Sequence, residues 1–268
     1  MLEDLFSIRG KVALVTGGSR GIGEMIAAGF LAHGAKVYIS SRKAEVCNAT
    51  AERLSEQTGG ECVSIPGDCA SVEGIEALVA DLSRRESRLD ILVNNAGVAW
   101  GAPLDTFPES GWDKVMNTNV KGPFFLTQKL LPLLRMAASA DSPARVVNVG
   151  SIDGIKTPGF DNFSYGPSKA AIHHLTRVLG AQLVGEHIIM NAIAPGPFPT
   201  WMLSTGVGFG GATEGDGVDW DAVGKANPSR RVGSLEDAAG LAVFLCSRAS
   251  EYIVGQTIPL DGGSVAAS

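Results

Sequence analysis

A chain of 268 residues, 45% hydrophobic and 19% charged, is too apolar to be disordered and long enough for a large α/β core that needs neither disulfides nor a structural metal. Its 22 basic against 28 acidic residues leave a net charge of −6 with no basic run, which argues against a nucleic-acid or anionic-membrane surface and for a small ligand. Cys47, Cys62, Cys69 and Cys246 form no CxxC pair, His33, His173, His174 and His187 have no zinc spacing, and neither an apolar leader nor an 18-residue uncharged apolar run is present; the expectation is a reduced, metal-free, cytoplasmic protein with no membrane span.

In chain order, VALVT predicts a strand over 12–16, followed by an amphipathic helix over 21–33 that buries Ile22, Ile26 and Phe30. KVYIS (36–40) precedes a helix over about 43–57, ECVSIP (61–66) a helix over about 71–84, and LDILVNN (89–95) a loop rich in Gly and Pro. Next come a helix over about 111–136, with a bend or break at Pro123 and Pro132, ARVVNVGS (144–151), a helix over about 165–185 and HIIMNAIA (187–194). The pattern fails between Pro195 and Pro228, where seven glycines from Gly206 to Gly224 and the acids Glu214, Asp216, Asp219 and Asp221 predict a long loop or partly helical insertion, a substrate lid over 200–226. A helix over about 235–247 and TIPL (257–260) close the chain. Runs such as VALVT and DILV are apolar at consecutive positions, as in parallel strands covered on both faces. The expectation is one Rossmann-type domain over 1–268, an α/β fold with a doubly wound parallel sheet of about seven strands and helices on both faces.

The first strand runs into TGGSRGIG, Thr16 to Gly23. Glycines at 17, 21 and 23 leave room between the turn and a ligand, and the helix start offers N–H groups to a pyrophosphate. At the end of the second strand an acid would hold the adenosine ribose hydroxyls. Here the chain reads ISSRK over 39–43. Ser41 and Arg42 can take a 2′-phosphate, with Arg20 approaching from the turn, so NADP(H) is favoured over NAD(H). Asp68, after the third strand, either caps the next helix or bonds the adenine amine.

Three distant pieces carry chemistry if they converge: Asn119 in MNTNVKG, Ser151 after the fifth strand, and Tyr165 with Lys169 in YGPSK. Tyr and Lys four apart share a helix face. The lysine charge favours the phenolate, and lowering Tyr165 from about 10 toward 7 is within reach of a desolvated cation plus a nicotinamide charge. Ser151, at a C-terminal strand end, can donate to a carbonyl oxygen. Taken singly, each has a bland explanation in packing, solvated surface or a turn.

Their order, with TGxxxGxG, NNAG at 94–97 and LDGG at 260–263, resembles the short-chain dehydrogenase/reductase family from about Gly10 to Gly263. GGSRGIG, NNAG followed by Trp-Gly, LLPLLR, YGPSKAA, LVGEHI and IAPG-FP are similar to bacterial 3-oxoacyl thioester reductases of the rhamnolipid-synthesis type. The resemblance implies that Tyr165 protonates the carbonyl oxygen, Ser151 orients it, Lys169 bonds the nicotinamide ribose, and Asn119 holds a water that passes protons to Lys169. It implies a cofactor site of Gly17, Ser19, Arg20, Gly21, Ile22, Gly23, Ser41, Arg42, Asp68, Cys69, Asn95, Ala96, Gly97, Tyr165, Lys169, Pro195, Gly196 and Phe198, with Ile193 and Thr200 close to the carboxamide.

Trp100, Ile152, Phe160, Phe163, Phe198, Trp201 and Met202 flank those positions, an apolar set that suits a ketone with an alkyl or ring body better than a sugar. Asp153 either caps a turn, the preferred reading, or binds a substrate hydroxyl. Glu186 and the acids from Glu214 to Asp221 disfavour an acidic carrier protein, leaving a free thioester or small hydrophobic ketone open. The leading expectation is NADPH-dependent reduction of a 3-oxoacyl thioester or related β-keto compound. The alternatives are a secondary-alcohol dehydrogenase for a sugar acid, steroid or aromatic ketone, and a cofactor-binding protein without chemistry. Apolar side chains on the helices at 111–136 and 165–185 (Phe124, Phe125, Leu126, Leu130, Leu133, Leu134, Ile172, Leu175, Val178, Leu179) exceed what one sheet face needs and, with the resemblance, imply a homo-oligomer, dimer or tetramer.

Overall fold

Seven strands lie in one wholly parallel sheet, in the order β3-β2-β1-β4-β5-β6-β7. The structure is a computed structural model and describes residues 4–157, 161–204 and 218–268. The strands are β1 Val12–Thr16, β2 Lys36–Ser40, β3 Cys62–Ser64, β4 Ile91–Asn94, β5 Ala144–Val149, β6 Ile188–Pro195 and β7 Thr257–Leu260. The helices are α1 Gly21–Ala32, α2 Ala44–Thr58, α3 Val72–Arg85, α4 Glu109–Met116, α5 Gly122–Ala137, α6 Tyr165–Leu183, α7 Trp201–Ser204, α8 Trp220–Ala226 and α9 Leu235–Cys246.

Successive strand residues feed opposite cores, as the two-residue period of a strand requires. Ala13, Val15, Val37, Ile39 and Val93 pack with Ile26 and Phe30 of α1 and Ala242 of α9. Leu14, Tyr38, Leu92 and Val146 pack on the other face with Leu78 of α3 and Leu126, Leu130 and Leu134 of α5. Burying each Leu or Phe fully stabilises the fold by about 1.5–3 kcal/mol. Chain order turns back between β1 and β4, so the loops after these strands diverge and leave a crevice at their C-terminal ends, where ligands bind in open parallel sheets.

The helix expected over 111–136 is two helices joined by a π turn, Asn117–Lys121. This break precedes Pro123, which sits in the first turn of α5, while Pro132 lies inside α5. Between 195 and 228 the structure places α7 and α8, the latter capped by Asp219; residues 205–217, with Glu214 and Asp216, and Phe160 lie outside the described residues. Among the described residues no helix is long and apolar enough to cross a membrane.

Candidate active site

The glycine turn is closed by the segment after β4. Gly17 adopts φ +64°, and Asn95 Nδ2 donates to the carbonyls of Thr16 and Gly17 at 2.9 and 3.1 Å. Thr16 Oγ1 accepts from the Asn95 and Ala96 N–H groups, both at 3.1 Å. A Cβ at Gly17 would stand 2.7 Å from Asn95 Nδ2, and one at Gly23 would collide with the Gly17 carbonyl and Asn95. Helix α1 starts at Arg20 with no side-chain cap, so first-turn N–H groups remain for an anion. The turn therefore fits a dinucleotide pyrophosphate.

Ser41 is half-buried, Arg42 exposed, and Arg42 has no hydrogen bond or ion pair among the described residues. Asp68 does not cap the next helix: its Oδ1 accepts from Ala70 N at 3.0 Å, whereas Ser71 caps α3. Ser71 lies at the boundary where the chain turns helical, three residues before the N–H it binds. Cys69 is buried, its thiol pushed by burial to about 12. Ser19 is buried, Ile22 only half-buried, and Ala96 and Gly97 flank the crevice half-buried.

The π turn sets Asn119. Its side chain donates to the Val98 carbonyl and accepts from the Val98 N–H, both at 2.9 Å, and donates to Ser168 Oγ at 3.0 Å. This pins the segment after β4 to α6. Asn94 extends the network, donating to Asn148 Oδ1 at 2.9 Å and Thr127 Oγ1 at 3.1 Å, and Asn148 donates to Thr176 Oγ1 at 2.8 Å. These buried hydrogen bonds fix the relative setting of β4, β5 and α6, with Asn94 Oδ1 left without a partner among the described residues.

Tyr165, Lys169 and His173 lie four residues apart on one face of α6. The Lys169 ammonium sits 5.3 Å from the Tyr165 ring centre, and a Cβ at Gly97 would stand 3.4 Å from Asn119 Oδ1 and 3.5 Å from Lys169 Nζ. The expected lowering of Tyr165 is reversed in the protein alone: burial, then the charge of Asp153, pushes its phenol up, against a hydrogen bond with Ser151 that pulls it down. Desolvation of the phenolate outweighs the nearby cation when no cofactor charge is present. Burial also brings Lys169 down to about 8, opposed by Asp153.

Among the described residues Asp153 caps nothing with its carboxylate. The cap of the 3₁₀ turn Ile152–Gly154 is Ser151, whose Oγ accepts from Asp153 N at 3.2 Å. Burial raises the Asp153 pKa, and Lys156 and Lys169 oppose the rise.

His173 escaped the sequence reading, although its spacing from Lys169 was the signal. Its Nε2 accepts from Ser151 N at 3.4 Å, and the ring also bonds the Gly154 backbone. Burial, aided by Lys169, lowers it to about 4, so it is neutral. A Cβ at Gly150 would run into its ring.

Of the apolar set, Phe198 is 2% exposed and packs against Gly233 in the core, and Ile193 and Ile152 are also buried. Pro195 ends β6, and Gly196 N–H donates to the Leu260 carbonyl at 3.0 Å. Trp100 packs against Gly111 with Lys114 over its ring, Phe163 meets Phe107 edge-on, and Trp201 and Met202 are at least partly exposed.

Residues 17–265 match the family described as enoyl-(acyl carrier protein) reductase. The chain is 50% identical over 262 residues to the rhamnolipids biosynthesis 3-oxoacyl-[acyl-carrier-protein] reductase of Pseudomonas aeruginosa, covering 98% of this chain and 99% of the relative. It is 34% identical to the gluconate 5-dehydrogenase of Gluconobacter oxydans, covering 97% and 96%. The solved Pseudomonas aeruginosa RhlG/NADP active-site complex superposes with a TM-score of 0.90 at 49% identity, over 97% of this chain and 98% of that one.

Proposed function

The chain belongs to the short-chain dehydrogenase/reductase family, and from that premise we propose that it uses NADPH to reduce the ketone of a 3-oxoacyl thioester or related β-keto compound. The observation that carries this reading is the meeting of Ser151, Tyr165 and Lys169 beside an uncapped helix start and a glycine cradle. The half-identical Pseudomonas relative, named for a 3-oxoacyl substrate, supports the substrate class, and the related NADP complex supports the cofactor.

NADPH, when bound, supplies the hydride that adds to the carbonyl carbon. Gly17, Gly21 and Gly23 leave space for the pyrophosphate, and Ser41 and Arg42 meet the 2′-phosphate. Ser151 donates a hydrogen bond to the carbonyl oxygen, and Tyr165 gives that oxygen its proton. A phenol held protonated by burial and by Asp153 suits that direction. Lys169, anchored on the Val149 carbonyl, keeps its other N–H donors for the nicotinamide ribose. The Asn119 amide is committed to Val98 and Ser168, leaving its main-chain carbonyl as the group to hold a relay water. Glu186, offered above as a charge against an acidic carrier, is paired with Arg135 at 2.5 Å, so its repulsion is offset locally. The same reading carries a homo-oligomer, with Met136 (71% exposed) and Val178 (51%) on the outer faces of α5 and α6.

The test follows NADPH consumption with acetoacetyl-CoA, acetoacetyl-carrier protein, ethyl acetoacetate, a steroid ketone and 5-ketogluconate in parallel. An acetoacetyl thioester should lead, and Tyr165→Phe should bind NADPH within about threefold of the parent while losing about a hundredfold or more in turnover. 5-Ketogluconate ahead of every β-keto compound would replace the substrate reading with a sugar-acid one, and Tyr165→Phe retaining over a tenth of the rate would remove Tyr165 as the acid.

A further inference from the structure

The Arg20 guanidinium lies over the Trp201 indole, 4.2 Å from the ring centre. Next to it, a Cβ at Gly21 would stand 3.2 Å from Thr200 Cγ2. Residues 200 and 201 thus lie against the glycine turn, at the phosphate end of the crevice.

Stacking on an indole engages the face of a guanidinium, while its five N–H donors lie in the plane around its edge. The indole therefore holds Arg20 without using the donors that a phosphate would take. Arg20 is exposed and its guanidinium makes no hydrogen bond or ion pair among the described residues, so without the ring its long side chain would sample many rotamers.

We propose that Trp201 is a positioning residue for cofactor choice: by stacking on Arg20 it sets that guanidinium for the ribose 2′-phosphate, favouring NADP(H) over NAD(H). The inference rests on the NADPH reading above. Ordering one rotamer-rich side chain at a binding site weakens affinity about three- to tenfold, and Trp201 removes that cost before the cofactor arrives. The effect acts through the phosphate alone, so NADH, which lacks it, is bound equally well with or without the ring. A wall for the substrate would instead change the KM of the ketone and leave both cofactors alone.

The experiment measures Kd for NADPH and NADH directly, by calorimetry, in the parent, Trp201→Ala, Trp201→Phe, Arg20→Ala and the Trp201→Ala/Arg20→Ala double variant, and KM for ethyl acetoacetate in each. Trp201→Ala should weaken NADPH about three- to tenfold and NADH by less than about twofold. Trp201→Phe, which keeps a ring face, should recover most of the loss, and Trp201→Ala should have no further effect once Arg20 is Ala. Equal weakening of both cofactors, full additivity in the double variant, or a change confined to the ketone KM would each overturn the proposal. A parent that binds NADH as well as NADPH would instead sink the cofactor reading on which it rests.

Discussion

Lys169 Nζ donates to the Val149 carbonyl at 2.9 Å, which ties the helix bearing Tyr165 to the strand end two residues before Ser151. The bond holds the ammonium in a buried place, where charge is costly, and Asp153 offsets part of that cost. Proton donor, orienting hydroxyl and cation are thus one mechanical unit.

The first prediction concerns its pH response. With Lys169 near 8, kcat/KM for ketone reduction falls as pH rises through about 8, because that parameter reports groups of the free enzyme. A negative charge stabilises the ammonium and the protonated phenol alike, so Asp153→Asn lowers both pKa values and moves the alkaline limb to lower pH. A full pH–rate profile of each protein checks this; a limb unmoved by Asp153→Asn refutes it.

His173 makes stability depend on pH in the acid range. Its folded-state pKa, about 4, lies below the ordinary 6.5, so the unfolded chain binds the proton first and stability present above 6.5 is lost as pH falls toward 4. At 1.36 kcal/mol per unit, and with the unfolded imidazole half protonated at pH 6.5, the loss attributable to His173 between pH 6.5 and 5 is about 1.5 kcal/mol. Urea unfolding at both pH values should show a smaller difference in His173→Gln, which cannot take up the proton.

Arg42 should act on the cofactor and not on the fold. Charge-assisted hydrogen bonds contribute about 1.5–3 kcal/mol, so Arg42→Ala should weaken NADPH about tenfold or more and barely change NADH. Its exposed position keeps the stability change within about 0.5 kcal/mol. Equal loss of both cofactors in direct binding removes Arg42 from the phosphate.

Two glycine substitutions should have opposite signs. Gly23→Ala drives a methyl into the Gly17 carbonyl and Asn95, costing about 1–3 kcal/mol together with cofactor affinity. Gly240→Ala, exposed in α9 with nothing within 4 Å of the new methyl, should stabilise by about 0.4–1 kcal/mol through the unfolded chain. Thermal unfolding with and without NADPH reads both.

Strands β1, β2 and β7 were legible to the residue, because local apolar runs bounded by Gly or polar residues define them. The candidate site was legible as residue types in order, from Gly17 to Lys169, since short motifs state which side chains are present. What three-dimensional contact decides was not legible. Phe198 and Ile152 read as pocket-flanking side chains, and their burial depends on neighbours that no local motif names. Tyr165 read as acidified by Lys169 together with a nicotinamide charge, whereas in the protein alone desolvation, which no spacing reports, dominates. Asp153 read as a turn cap, whereas the cap comes from Ser151 two residues earlier. Asn148 bonds Thr176 and His173 bonds Ser151, partners 28 and 22 residues away that no local pattern names.

The π turn at Asn117–Lys121 also sets how the gene can change length here. An α-helix advances about 100° per residue, and the wide turn holds a surplus residue that a regular helix would not accommodate. Excising one codon from this stretch would let α4 and α5 fuse into an unbroken helix in nearly the same phase, because the wide turn already takes up the surplus residue. Leu126, Leu130 and Leu134 would keep facing the sheet against which they are buried, whereas Asn119, which sits in the wide turn, would leave Val98. The wide turn thus serves the site and not the core: a one-residue deletion would leave the packing of α5 in place and remove the setting of Asn119 against Val98 and Ser168.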